Sequence, residues 1–341
     1  MRQLLFICLL LLALPARGAE WGVLPIPRES DVWSVNDYVD ALNMVKSINA
    51  PVQVSVNGWG DLEPETNKYA IDQHLGGLAY GHGLGLQPYF GISVINTTRR
   101  DMPADLISLR WNDPALLGRF EKLLDATREK IPENLSVLII GNEVDVYLEQ
   151  HPDEIDDYLA FYAKASAAAR QRYPQARIGV TVTYEGLIKG RADIISPMIS
   201  ISDAAFFTFY PLFDMKAQPV ASVPSHLDRL QQAAQGKDIY LQEVGYPSSS
   251  LSGSSEAQQA EFFATAIPAI NARPQIKLAS IFLLHDLSPK LCQGLTAYYG
   301  FGDAGHFANL LSDFLCSLGV RRLDGTPKPA FETISALLLA R

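Results

Sequence analysis

The chain has 341 residues, of which 48% are hydrophobic and 19% charged, and its formal net charge is −9 at pH 7. This composition excludes an intrinsically disordered protein, because the apolar content is high enough to form a core. The acidic balance argues against a nucleic-acid partner and against adhesion to an anionic membrane. The length suits either two domains or one large α/β barrel.

Residues 1–18 have the pattern of a secretory signal peptide. Arg2 gives a positive start, residues 4–14 are unbroken apolar, and Ala16 and Gly18 mark a small-residue cleavage site. The apolar run is too short to span a hydrocarbon core of about 30 Å, and a buried N-terminal helix is disfavoured because the segment is not amphipathic. We expect a mature chain of residues 19–341, secreted or periplasmic, monomeric and without a membrane anchor.

Two cysteines remain after that cleavage, Cys292 and Cys316. In an oxidising compartment a pair of cysteines indicates one disulfide. The alternative is two unpaired buried thiols. Removal of Arg2 and Arg17 with the signal peptide changes the net charge from −9 to −11.

Eight short apolar runs follow along the chain. Most of them are continuous rather than alternating, which is typical of parallel strands buried on both faces. The predicted strands are residues 21–26, 52–56, 84–90, 137–140, 178–182, 204–209, 239–241 and 278–284.

Amphipathic helical patterns lie between these runs. Asp113 followed by Pro114 is a helix start, and Ser255 with Gln258 is a capping box. Eight repeats of strand and helix without a compositional break predict a single-domain (β/α)8 TIM barrel. A doubly wound open sheet is the alternative, disfavoured because no strand is followed by a glycine-rich phosphate loop.

In such a barrel the functional side chains follow the strands at their C-terminal ends. Carboxylates and amides bind sugar hydroxyls, and aromatic rings stack on sugar faces. The polar and aromatic residues after the predicted strands are Asn57, Trp59, Asp61, Tyr89, Asn142, Glu143, Thr183, Tyr184, Glu185, Tyr210, Glu243, Tyr246, His285 and Asp286.

Two glutamates stand out, because each directly follows a buried strand. Glu143 ends the sequence VLIIGNE and Glu243 ends IYLQE. A single acid there is common in the first turn of a helix. Two such carboxylates, after the fourth and seventh strands, divide the acid and nucleophile roles of glycoside cleavage.

This arrangement resembles the large clan of retaining (β/α)8 glycoside hydrolases. The resemblance implies that Glu143 is the acid/base and Glu243 the nucleophile. It also implies that Asn142 binds a sugar hydroxyl beside the nucleophile, and that Tyr210 hydrogen-bonds the nucleophile. The substrate would then be a polysaccharide or an oligosaccharide.

Within the clan, GNEV with EVGYPS is similar to motifs of endo-1,3-β-glucanases, and TFYPLF with QEVGYP to motifs of arabinogalactan endo-β-galactanases. These two families differ in substrate, so the motifs do not determine which sugar is bound. Many clan members carry an Arg on the second strand, where this chain has VQVSVNGW, and a Trp at the end of the eighth, where it has LLHDL. We expect Trp59 or Tyr246 to supply the missing platform, and Tyr89, Tyr184 and His285 to bind substrate.

Other classes of enzyme lack their motifs in this sequence. The six histidines are scattered, neither HExxH nor paired CxxC occurs, and GxSxG and GxGxxG are absent. We therefore expect no metal and no cofactor. Two alternatives stay open: a catalytically inactive barrel that binds polysaccharide in an export or adhesion assembly, and a transglycosylase.

Overall fold

A computed structural model describes residues 18–28, 34–302 and 305–341. The predicted signal peptide lies outside these residues, apart from Gly18. Among the described helices, none is both long and apolar enough to cross a membrane.

Eight parallel strands form the barrel, and each overlaps one of the predicted apolar runs. They are β1 (Glu20–Val23), β2 (Val52–Gly58), β3 (Gln87–Asn96), β4 (Val137–Asn142), β5 (Arg177–Gly179 and Thr181–Thr183), β6 (Ala205–Phe209), β7 (Ile239–Val244) and β8 (Ile276–Ile281).

The barrel closes through β5, which is interrupted at Val180. Its first part, Arg177–Gly179, pairs with β4, and its second part, Thr181–Thr183, pairs with β6. On the opposite side β1 pairs with both β2 and β8. The TIM-barrel fold predicted from the sequence is therefore confirmed.

The helices surround the barrel in the order expected for this fold. Asp113 accepts a hydrogen bond from the Ala115 amide, and Ser255 accepts one from the Gln258 amide, so both predicted helix starts are confirmed. The helices are α1 (Val35–Ser47), α2 (Trp59–Leu62), α3 (Ile71–Gly83), α4 (Pro114–Arg128), α5 (Val144–Gln150), α6 (Ile155–Arg172), α7 (Tyr184–Ile188), α8 (Ala192–Ile201), α9 (Val223–Ala233), α10 (Glu256–Asn271), α11 (Pro289–Tyr298), α12 (His306–Cys316) and α13 (Pro329–Leu339).

The predicted disulfide between Cys292 and Cys316 is present, with 5.7 Å between the two Cα atoms. It joins α11 to α12, the two helices that follow β8. Cys292 is fully buried in a small apolar cluster with Leu283, Phe314 and Leu318. This cluster packs α11 and α12 beside the C-terminal end of the barrel, where the residues after each strand meet.

Candidate active site

Glu143 follows β4 in a left-handed backbone conformation, with φ of 50°. Non-glycine residues adopt this conformation rarely, and such strain is concentrated at functional sites. Two residues earlier Gly141 has φ of 99°, and a Cβ there would lie 2.7 Å from the Tyr158 hydroxyl. The glycine of the GNE motif is therefore required for the chain to turn out of β4 and present Glu143.

Two threonine hydroxyls hold the Glu143 carboxyl group. The Thr97 hydroxyl donates to Oε2 across 2.8 Å, and the Thr208 hydroxyl donates to Oε1 across 2.7 Å. Thr97 follows β3 and is itself left-handed, with φ of 52°. Three strand ends, those of β3, β4 and β6, thus converge on one carboxyl group.

Glu243 lies on β7 and receives donors of a different kind. The Tyr210 hydroxyl donates to its Oε2 across 2.6 Å, and the Gln242 amide nitrogen lies 3.5 Å from its Oε1. An amide nitrogen donates and never accepts, whereas a threonine hydroxyl does both. The fixed donor beside Glu243 favours the carboxylate, and the hydroxyls around Glu143 accommodate either protonation state.

The two glutamates influence each other electrostatically. Burial, followed by the negative charge of Glu143, raises the pKa of Glu243 to about 7. Burial also raises the pKa of Glu143, against the opposing effect of its two threonine hydrogen bonds. Because the groups interact, they titrate as a pair that retains one proton close to neutral pH. One carboxyl and one carboxylate side by side are what acid-assisted nucleophilic attack requires.

A cavity of about 310 Å³ brings these groups together at the C-terminal end of the barrel. Glu143, Glu243, Asn142 and Tyr210 all line it, together with polar residues that follow β4 and β5 and an apolar wall from the chain after β8. Both glutamates keep part of their side chain exposed. The cavity is thus open to a ligand at the carboxyl groups.

Asn142 lies in this site but is held by other side chains. Its Oδ1 accepts from the Gln242 amide across 2.6 Å, and its Nδ2 donates to Oδ1 of Asn96 across 3.2 Å. Tyr210 lies where the resemblance implied, directly on Glu243. Of the residues expected to bind substrate, these two lie beside the glutamates.

Four of the expected sugar-binding side chains are buried and are not among the described residues that line the cavity. Trp59 is fully buried and donates its indole N–H to Glu63. Tyr246 stacks on Phe262, and its hydroxyl donates to a backbone carbonyl. The four residues that lie away from the cavity are Trp59, Tyr89, Tyr246 and His285.

The physical reason is the position of the strand ends. β3 begins at Gln87 and runs to Asn96, so Tyr89 lies deep inside the barrel rather than at its rim. β8 ends at Ile281, so Phe282 reaches the cavity, whereas the buried His285 contacts the Ile26 carbonyl.

Tyr184 occupies an intermediate position. It lines the cavity, but its ring is almost fully buried against Phe209, and its hydroxyl is hydrogen-bonded to His226. The side chain therefore shapes the cavity wall without offering an open face for stacking.

Sequence reasoning missed several residues of the site. Thr97 contacts Glu143 because β3 is longer than predicted, and Thr208 does so because the inward residues of β6 point at the same carboxyl group. Gln242 was overlooked because residues next to each other on a strand normally face opposite sides. Within the described residues, no group of three or more His, Cys, Asp or Glu side chains forms a candidate metal site.

The fold defines the class of this protein as a (β/α)8 barrel, with two glutamates at the strand ends, and the solved structures that share this fold include glycoside hydrolases. A GH5_18 variant from Streptomyces cattleya, solved in complex with Manβ1-4GlcNAc, superposes with a TM-score of 0.73 at 15% sequence identity. That match covers 94% of this chain and 80% of the other.

Two further solved structures share the fold. Xylanase 10B from Thermotoga maritima matches with a TM-score of 0.67 and 14% identity, over 95% of each chain. The exo-β-1,4-mannosidase Op5Man5 from Opitutaceae bacterium strain TAV5 matches with a TM-score of 0.70 and 16% identity, over 95% of this chain and 60% of its own. The sequence matches no protein-family model and no curated protein. At these identities the likeness establishes the fold, and activity has to be argued from the site.

Proposed function

We propose that this protein is a glycoside hydrolase that cleaves β-linked glycans with retention of configuration. The observation that carries the proposal is the coupled pair of glutamates, Glu143 after β4 and Glu243 on β7, in one open cavity. The solved structures of the same fold include a xylanase and a mannosidase, which supports the same class of substrate.

In this proposal Glu243 attacks the anomeric carbon as a carboxylate. Tyr210 and Gln242 supply the donors that favour that ionised state. Glu143 simultaneously gives its proton to the leaving glycosidic oxygen. The bond from anomeric carbon to leaving oxygen breaks as the bond to Glu243 forms.

The second step releases the sugar. Once the glycosyl ester has formed, the negative charge of Glu243 is gone, and the pKa of Glu143 falls. Glu143 then accepts a proton from water as the water oxygen attacks the anomeric carbon, which regenerates Glu243 as the leaving carboxylate. If a sugar hydroxyl replaces water, the same intermediate gives transglycosylation.

We also propose that the protein works in the periplasm or outside the cell. The disulfide between Cys292 and Cys316 supports this, because such bonds persist in oxidising compartments. The predicted signal peptide agrees with that location.

The test is release of reducing sugar from β-1,3-glucan, β-1,4-galactan, β-mannan and xylan, and from aryl β-glycosides of the same sugars. We expect activity on at least one of them, and a loss of roughly 10²–10⁴-fold on its polysaccharide in Glu143→Ala. Glu332→Gln, an exposed glutamate on α13, is the control and should keep full activity. Binding of a glycan without any hydrolysis would contradict the proposal and favour an inactive binding barrel.

A further inference from the structure

Two phenylalanines at the mouth of the cavity are unusually exposed. Phe301 is 38% exposed and Phe307 is 45% exposed, and their ring centroids are 4.7 Å apart. Both line the cavity that contains Glu143 and Glu243. Exposed aromatic rings that line a cavity lose the free energy of burial, so a ligand that covers them is stabilised by contact with them.

The positions of the two rings are fixed by the fold around them. Phe301 follows α11, where its amide donates to the Thr296 carbonyl across 3.2 Å, and Phe307 lies in the first turn of α12. The disulfide between Cys292 and Cys316 ties these two helices together. The aromatic pair is therefore a preformed surface.

Polar side chains from the other strand ends line the same cavity. Lys189 and Glu185 form an ion pair at 2.8 Å, and Asp214 lies in the loop after β6. A sugar ring presents an apolar C–H face and a rim of hydroxyl groups, so it matches a site with an aromatic wall and polar groups around it.

We propose that Phe301 and Phe307 form a sugar-stacking subsite for a unit of a β-linked chain next to the unit that is cleaved. The inference rests on the proposed function and deepens it, because it specifies an oligosaccharide or polysaccharide substrate rather than a simple glycoside. The pair replaces the platform expected from Trp59 or Tyr246, both of which are buried.

Binding is measured by calorimetry in the Glu243→Gln background, which prevents turnover. The probes are laminaritetraose, β-1,4-galactotetraose, mannotetraose and xylotetraose. For the tetrasaccharide that binds, Phe301→Ala and Phe307→Ala should each weaken binding by roughly three- to tenfold, and Phe301→Trp should retain it. Phe213→Ala is the matched control. Phe213 is 50% exposed, and it is not among the described residues that line the cavity.

Enzyme kinetics in the otherwise wild-type protein give a second readout. Phe301→Ala should lower kcat/KM for the tetrasaccharide by roughly three- to tenfold more than it lowers kcat/KM for an aryl β-monosaccharide, which does not reach the subsite. Equal binding by Phe301→Ala, Phe307→Ala and Phe213→Ala would overturn the subsite, as would failure of all four tetrasaccharides to bind. If either result is found and the aryl glycoside is still hydrolysed, the subsite is wrong and the proposed function stands. A protein that binds through the pair but hydrolyses nothing contradicts the proposed function alone.

Discussion

Gln242 donates its side-chain amide directly to Oδ1 of Asn142 across 2.6 Å, which joins the residues that immediately precede Glu243 and Glu143. The Oε1 atom of Gln242 accepts from the Thr181 hydroxyl across 2.6 Å, so the amide is held at both ends. The two candidate catalytic strands, β4 and β7, are thus linked beneath the cavity by a buried polar network.

A β-bulge makes this link possible. Leu241 and Glu243 pair with Phe207 and Thr208 of β6, which leaves Gln242 as one extra residue on β7. A bulge re-aims side chains near active sites. Here it allows Gln242 to point into the barrel while Glu243, the next residue, faces the cavity.

Gln242→Ala should therefore lower activity as well as stability. It leaves Oδ1 of Asn142 without its donor and removes the amide beside Glu243, at a cost of about 1–3 kcal/mol in the free energy of unfolding. We expect kcat to fall by about tenfold or more, which corresponds to about 1.4 kcal/mol of transition-state stabilisation. Stopped assays on the best substrate and urea denaturation measure the two effects.

Gln259→Ala is the matched control for that variant. Gln259 is also fully buried, and its amide donates to the carbonyl of Tyr246, which follows β7. It should lose stability without losing kcat at a temperature where both variants are folded. Equal kcat in the two variants would show that Gln242 has no positioning role.

Much of this architecture follows from the sequence alone. The eight strands are recognisable because they are short apolar runs, and Glu143 and Glu243 because each directly follows such a run. The rim aromatics are harder to predict, since the direction of a ring depends on where a strand ends. An error of several residues at β3 placed Tyr89 at the rim, although it lies in the interior. Likewise, nothing local marks the bulge at Gln242.

Replacing Glu243 with glutamine should make the protein more stable above neutral pH. The surroundings raise the pKa of Glu243 from its ordinary 4.5 to about 7. Between these values the pair of Glu143 and Glu243 in the folded state keeps a proton that the unfolded chain has lost. The resulting stabilisation is complete below pH 4.5 and is lost as the pH rises through about 7.

Thermal unfolding across pH 4–8 checks this expectation. Over that interval the wild-type Tm should fall relative to the Tm of Glu243→Gln, because glutamine cannot ionise. The Tm of Glu243→Gln will still depend on pH, since burial also raises the pKa of Asp145 to about 7. Glu332→Gln should behave as the wild type. Parallel curves of Tm against pH for wild type and Glu243→Gln would contradict the raised pKa of Glu243.

Loss of the disulfide should destabilise the protein and disturb the cavity wall. In the chain-entropy model, a bond that closes 24 residues contributes about 3 kcal/mol. We expect the Cys292→Ser/Cys316→Ser double variant, and the reduced wild type, to lose about this much in denaturant unfolding. Unchanged stability, or two free thiols by mass spectrometry of protein made in an oxidising compartment, would contradict the prediction.

The central claim is the division of roles between Glu143 and Glu243. In Glu143→Ala the first step should survive on an aryl glycoside with a good leaving group, because such a group needs no acid. The glycosyl-enzyme then accumulates, since no base activates water. Azide needs no base and fits the space left by the carboxyl group. In Glu243→Ala no such intermediate forms, and turnover should be lost on every substrate.

The configuration of the azide product tests this division most directly. With Glu143→Ala, an activated aryl β-glycoside and added azide, we predict restored turnover, with nuclear magnetic resonance showing a β-glycosyl azide of retained configuration. An inverted α-glycosyl azide from Glu143→Ala, or a Glu143→Ala variant with undiminished activity on its polysaccharide, would contradict the assignment of Glu143 as acid/base and Glu243 as nucleophile.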